Sequence, residues 1–255
     1  MPEGAITGYA DVAQLCLYGF WLFFIGLVFY LRREDRREGY PTEEDRSGRV
    51  KAAGPIFIPK AKEYPLMEGG VKMAPDFARD DRAHAIARVG PWGGAPYEPT
   101  GDAMIDGVGP AAWAQRKDTP EQTRDGRNAV VPTRVANDFH VVDRDVDPRG
   151  VDVVAADGVT VGKCSDLWVD RADPTVRYLE IDVGEGRTVL APMNACRVTR
   201  MPEQIKIKSL LSAQFAHVPG LANPDQISVL EEEKIMAYYA GGRFFAEASR
   251  REPLV

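Results

Sequence analysis

Cysteine is scarce in this 255-residue chain: Cys16, Cys164 and Cys196 form no even set and no CxxC pair. A disulfide framework and a cysteine zinc site are therefore not expected. Histidine is equally sparse, and His84, His140 and His217 share no metal-ligand spacing. No Gly-x-Gly-x-x-Gly follows a strand pattern, and there is no phosphate-binding loop and no Gly-x-Ser-x-Gly. The chain thus carries no nucleophile, base or cofactor motif, and it reads as a non-enzyme. Positive charge is in deficit, with 32 Lys and Arg against 38 Asp and Glu, a net charge of -6. Phosphate backbones need a basic surface, so nucleic acid is not an expected partner. Lys and Arg are missing altogether before Arg32.

What stands in front of Arg32 is the most informative segment. Val12 to Leu31 reads VAQLCLYGFWLFFIGLVFYL, with no charge and one amide, Gln14. At about 1.5 Å per residue such a helix spans about 30 Å, the thickness of bilayer hydrocarbon. Apolar residues cover every helical face, unlike a helix lying on a soluble core. Tyr9, Tyr18 and Trp21 sit toward one end and Tyr30 at the other, as interfacial aromatics do. A cleaved signal peptide needs a basic leader and a short apolar stretch, and neither is present. Residues 12–31 are expected to form one transmembrane helix. Arg32, Arg33, Arg36 and Arg37 follow it directly, and charge of that sign tends to stay cytoplasmic. Residues 1–11 should then be periplasmic and the remainder cytoplasmic. Arg32, Arg33, Arg37 and the neighbouring Tyr40 are candidate contacts to lipid head groups and the membrane interface.

Residues 32–134 are rich in turn formers, with stretches such as GPIFIPK, EGGVKMAP and RVGPWGGAPYEPTGD. They also carry Ile56, Phe57, Ile58, Phe77, Trp92, Tyr97, Met104 and Trp113, more large apolar groups than a solvated linker holds. The expectation is an extended segment laid across its own C-terminal domain or a partner protein. From residue 135 onward short strands recur. Asp157-Gly158 reads as a type I′ hairpin turn. In TVRYLEIDV, Arg177, Leu179, Ile181 and Val183 share one face, and Tyr178, Glu180 and Asp182 the other. Several strands at this spacing suggest a small antiparallel barrel or sandwich. Leu230 to Phe245 reads as a helix with acids in its first turn, weakening or stopping at Gly241-Gly242. The expected architecture is a single transmembrane α-helix, a mainly-β cytoplasmic domain and a C-terminal helix.

Carboxylates crowd the strand region: Asp143, Asp145 and Asp147, then Asp166, Asp170 and Asp173 around Trp168, then Glu180 and Asp182. On an open surface they are a solvated face. Covered by a membrane partner, closely spaced acids titrate nearer neutrality as a coupled group and can relay protons. Glu180 is the foremost candidate, with Asp125, Asp182 and Glu231 as further candidate proton carriers.

These pieces resemble the H subunit of the purple-bacterial photosynthetic reaction centre. The markers are FYLRRED, REGYP (Arg37 to Pro41), PTGDAMIDGVGPAAW (Pro99 to Trp113), DLWVD (Asp166 to Asp170), RYLEIDV, LLSAQFAHVP and LEEEKIMAYYAGG. The resemblance implies a PRC-barrel for the cytoplasmic part. It implies a subunit that caps the L and M subunits in a chromatophore membrane and shapes proton delivery to the secondary quinone. Glu180 matches the glutamate of the family's strand motif. The resemblance implies no cofactor bound by this chain. Bacteriochlorophyll, bacteriopheophytin, quinones and non-haem iron would be carried by partner subunits, with an antenna ring and a cytochrome-linked complex as further partners. Some members carry a His-x-His pair at a proton entry that also binds transition metals. The matching stretch here, Arg124 to Asn128, has no histidine, so entry would rest on Asp125 and the metal site should be absent or moved. The alternative function is a membrane-anchored PRC-barrel adaptor docking a different cytoplasmic partner.

Overall fold

A computed structural model describes residues 4–7, 10–51, 54–67, 69–78, 80, 82–201 and 203–251. Tyr9 lies outside them. The chain forms two compact units, one from Met1–Asp81 and Pro91–Ala95, the other from Arg82–Gly90 and Pro96–Val255.

The first unit is built on helix α1, Val12–Glu34. Asp11 caps it, its carboxylate accepting from the Gln14 amide at 2.7 Å. None of its side chains is buried, which is how an all-apolar helix made for lipid looks. The helix outlasts the apolar run by three residues. Beyond it, two short hairpins pair Thr42–Glu43 with Val50–Lys51 and Lys62–Pro65 with Val71–Ala74. Arg37 organises this part. Its guanidinium holds both oxygens of Glu34 at 2.8 Å and the carbonyls of Lys60 and Ala74, also at 2.8 Å. Apolar groups stay outside: Ile56, Val71 and Trp92 are more than half exposed and Met67 is 93% exposed.

The second unit is a curled seven-stranded sheet closed off by one helix. Its strands are β1 (Val130–Pro132), β2 (Asp152–Val154), β3 (Thr160–Asp170), β4 (Thr175–Asp182), β5 (Thr188–Pro192), β6 (Cys196–Arg200) and β7 (Glu203–Ile207). The order is β5-β4-β3-β2-β7-β6, with β1 on the far half of β3. All pairs are antiparallel except β2 with β7, where Val153 faces Ile205. The core gathers Val153, Leu167, Leu179, Ile181, Leu190, Ile205 and Ile207, the inward residues of alternating strands. β4 is covered on both faces, because Tyr178 and Glu180 on its outer face are buried too.

Turn chemistry differs from expectation at one hairpin. Gly158 has φ +80° and Asp157 does not enter the left-handed region, so β2–β3 closes by a three-residue loop. The adjacent register slip at Val153/Val154 has the character of a bulged hairpin. The two consecutive left-handed residues of a type I′ turn occur instead at Glu185 and Gly186, between β4 and β5.

Helix α2, Val229–Phe245, starts in a capping box: Ser228 Oγ accepts from the Glu231 amide, and Glu231 accepts from the Ser228 amide at 2.7 Å. It does not stop at Gly241-Gly242. Both glycines are inside the helix because the chain packs there without room for a side chain. A Cβ on Gly241 would lie 2.5 Å from that of Ala111, and one on Gly242 would meet the Ser209 carbonyl. Packing closeness, rather than a chain stop, explains the pair. The Pro99–Trp113 stretch supplies Ala111, along with buried Ala103, Met104 and Val108. Its Trp113 ring carries the Arg82 guanidinium at 3.8 Å and the Lys234 ammonium at 4.7 Å.

Candidate functional site

The carboxylates read from the sequence separate into distinct groups. Glu180 points from β4 onto β3, where its direct neighbour is Asp166. Both are nearly closed to solvent, at 8% and 7% exposure. Two carboxyl groups at this depth need hydrogen-bond donors, and the surrounding strands provide them. The indole Nε1 of Trp168 donates to Glu180 Oε2 at 2.8 Å, and Ser165 Oγ donates to Oε1 at 3.1 Å. Trp168 is itself fully buried, so its N–H has to find an acceptor nearby. The Leu167 amide, the Arg134 amide and Thr133 Oγ1 serve Asp166.

One cation joins the two acids. Arg134, just after β1, donates from Nη1 to Glu180 at 2.9 Å and to Asp166 at 3.1 Å. Its Nε reaches Asp225 at 2.9 Å, and its Nη2 donates to the Pro224 carbonyl. Three carboxylates thus share one guanidinium, an excess of two negative charges in one place if all are ionised. Arg134 remains 38% exposed at its side chain, so the cluster keeps an edge on the surface. Neither Arg134 nor Asp225 was legible as a partner of Glu180, since they lie 46 and 45 residues from it. The one sequence signal was Trp168 set between Asp166 and Asp170.

A second cluster lies further along β4. Arg177 bridges Asp170 at 3.2 Å and Glu232 at 3.3 Å, and the Tyr178 hydroxyl donates to Glu232 at 2.6 Å. Burial pushes the Glu232 carboxyl up, against the opposing pull of the Tyr178 hydroxyl and Arg177. In the acid run of α2 it is Glu232 that turns inward. Glu231 spends both oxygens on the cap and on the Ala222 amide at 2.6 Å.

The other candidates stand apart. Asp182 is exposed and accepts from the Gly184 amide in the β4–β5 turn. Asp125 sits on an exposed turn, where the Thr123 hydroxyl at 2.5 Å and the Arg127 guanidinium at 2.6 Å hold its carboxyl below the usual range. Arg32 is exposed beside Asp35, whereas Arg37 is turned inward onto Glu34. The Arg36 guanidinium lies between the Tyr40 and Phe57 rings, at 5.6 and 4.7 Å from their centres. Cys164 is buried, its thiol pushed up to about 12 by desolvation, so it acts as a small apolar residue. Among the described residues no three His, Cys, Asp or Glu side chains gather as a metal set.

Residues 4–135 match the family described as photosynthetic reaction centre, H-chain N-terminal region. The chain belongs to this reaction-centre H-chain family. Residues 140–209 match the PRC-barrel domain, the stretch that contains β2 to β7 and Glu180. An H chain is a non-catalytic subunit of a photosynthetic reaction centre and associates with the L and M subunits. The apolar α1 fits a single-pass membrane protein. The fold class read from the sequence stands: one apolar helix, a mainly-β barrel domain and a C-terminal helix.

Proposed function

We propose that this H chain caps the cytoplasmic face of the L and M subunits and shapes proton delivery to the secondary quinone through the Glu180–Asp166–Arg134 cluster. The N-terminus is periplasmic in this reading and the PRC-barrel cytoplasmic. The pigments, the quinones and the non-haem iron belong to the partner subunits. The quinone supplies a redox centre that takes up two protons on full reduction. The residues of this chain contribute charge, shelter and a proton-holding group.

The single observation that carries the reading is a buried carboxylate pair bridged by a cation that stays partly open to water. Such a cluster holds excess negative charge in a low-dielectric place and takes up a proton when its surroundings become more negative. A proton on Glu180 or Asp166 has an outlet at the Arg134–Asp225 edge. The exposed Ile56, Met67, Val71 and Trp92 suit a segment that completes its burial on another protein. Lipid head groups are served by Arg32 and Arg33 rather than by Arg37.

Glu180→Gln tests this. It keeps the shape and an acceptor for Trp168 while deleting the titrating group. In the purified complex the second, proton-coupled electron transfer measured after paired flashes is expected to slow about tenfold or more, with assembly intact. An unchanged rate would reduce the cluster to a structural ion bridge.

A further inference from the structure

Away from the carboxylate cluster, this acidic chain builds a strongly basic hollow. A cavity of about 500 Å³ is lined by Arg197, Lys206, Lys208, Arg243 and Arg250, with Cys196 and Ser209 in its wall. Among the described residues, no carboxylate lies within ion-pair distance of Arg197, Lys206, Lys208 or Arg243. Among the described residues the single acid touching the set is Glu247, at 3.5 Å from Arg250 Nε.

Three features show that this is more than scattered surface lysine. First, Arg197 and Lys206 are direct cross-strand partners on β6 and β7, and Lys208 continues the Lys206 face. Like charges placed opposite one another repel, and the arrangement persists at a cost unless something negative sits between them. Secondly, Ser209 is 5% exposed and its hydroxyl has no hydrogen-bond partner. A buried hydroxyl without a partner is costly, and a turn of the Ser209 side chain about its first torsion would present it to an anion in the hollow. Thirdly, Arg250 Nη1 binds the carbonyls of Lys208, Ser209 and Gly242 at 2.9, 3.3 and 3.1 Å. These bonds fix the Arg250 guanidinium in place at the wall of the hollow. The Cys196 thiol is pushed up to about 12 by burial and adds no charge of its own.

We propose that this cavity binds a phosphate-bearing anion, held by Arg197, Lys206 and Lys208 and accepting a hydrogen bond from Ser209 Oγ. Tetrahedral oxyanions suit it because they offer several acceptors to donors converging from different sides. The phosphate is that of a lipid head group or of a soluble anion, and two measurements on the detergent-purified complex separate these sources.

One arm counts phospholipid phosphorus retained per complex after detergent exchange. The other titrates inorganic phosphate at low salt and follows the bound fraction by phosphorus NMR. Arg197→Gln/Lys206→Gln is compared with wild type, with Lys206→Arg as the charge-conserving control. Loss of one retained phospholipid in the double variant alone supports the site and identifies a lipid head group. Unchanged lipid with phosphate binding weakened about tenfold or more in the double variant, and kept in Lys206→Arg, supports the site and identifies a soluble anion. Ser209→Ala should weaken whichever signal is seen by about threefold to tenfold. Equal lipid retention and equal phosphate binding in wild type and double variant overturn the proposal.

Discussion

Removing the shared cation should expose how the buried acids are held. In Arg134→Met the side chain keeps its length, while Asp166 and Glu180 lose their common donor and Asp225 its partner. Deleting one partner of a fully buried ion pair costs about 3–5 kcal/mol. Arg134 is 38% exposed at its side chain, so water screens part of that interaction and the expected loss falls to about 2 kcal/mol. For a unit of this size that is about 4–8 °C in Tm. Without the guanidinium, two adjacent carboxylates face each other with no cation between them, and like charges placed side by side repel. Adding Glu180→Gln removes one of the two carboxylates and should restore about half of the loss. Thermal unfolding of the full chain in detergent, followed by circular dichroism of the β-sheet, reads both variants. No recovery in the double variant would refute the idea that Arg134 acts by balancing the acid pair.

Other consequences concern separate parts of the molecule. Glu232 is raised by burial, so the folded state binds its proton more tightly than the unfolded chain does. Its contribution to stability is therefore lost as pH climbs above the ordinary carboxylate value of 4.5, and the Tm of Glu232→Gln minus that of wild type should increase from pH 4.5 to pH 7. A difference that shrinks over that range would contradict the assignment. Gly242→Ala puts a methyl group against the Ser209 carbonyl and Leu210, and overpacking of this kind costs about 1–3 kcal/mol despite alanine's better helix propensity. A Tm equal to or above wild type would show that the packing relaxes freely. Zinc or cadmium should slow proton uptake by this protein less than in family members with paired histidines, because residues 124–128 contain none. Equal inhibition at equal metal concentration would point to another metal site.

Much of this architecture was written locally. Twenty uncharged residues specify a membrane helix with no help from the rest of the chain, since bilayer thickness alone sets the requirement. The alternation in RYLEIDV put Leu179 and Ile181 of β4 toward the core, and the acids after Leu230 marked the first turn of α2. What could not be read was anything depending on partners distant in the chain. The alternation placed Glu180 outward, yet only the fold lays Thr133 and Arg134 over that outer face and buries it. Gly241-Gly242 carried a stop signal by local rules, and only the approach of Ala111 and Ser209 turned it into a packing surface. Three glutamates in a row looked alike, and helix rotation decided that Glu231 caps, Glu232 is buried with Arg177 and Tyr178, and Glu233 meets Arg116 at 3.6 Å. Periodicity and composition act through neighbours within a few residues, so they determine elements and faces. Charge pairing acts through space, here between Arg134 and acids 32, 46 and 91 residues away, so the carboxylate cluster and the basic hollow exist only once the sheet has curled and α2 has closed over it.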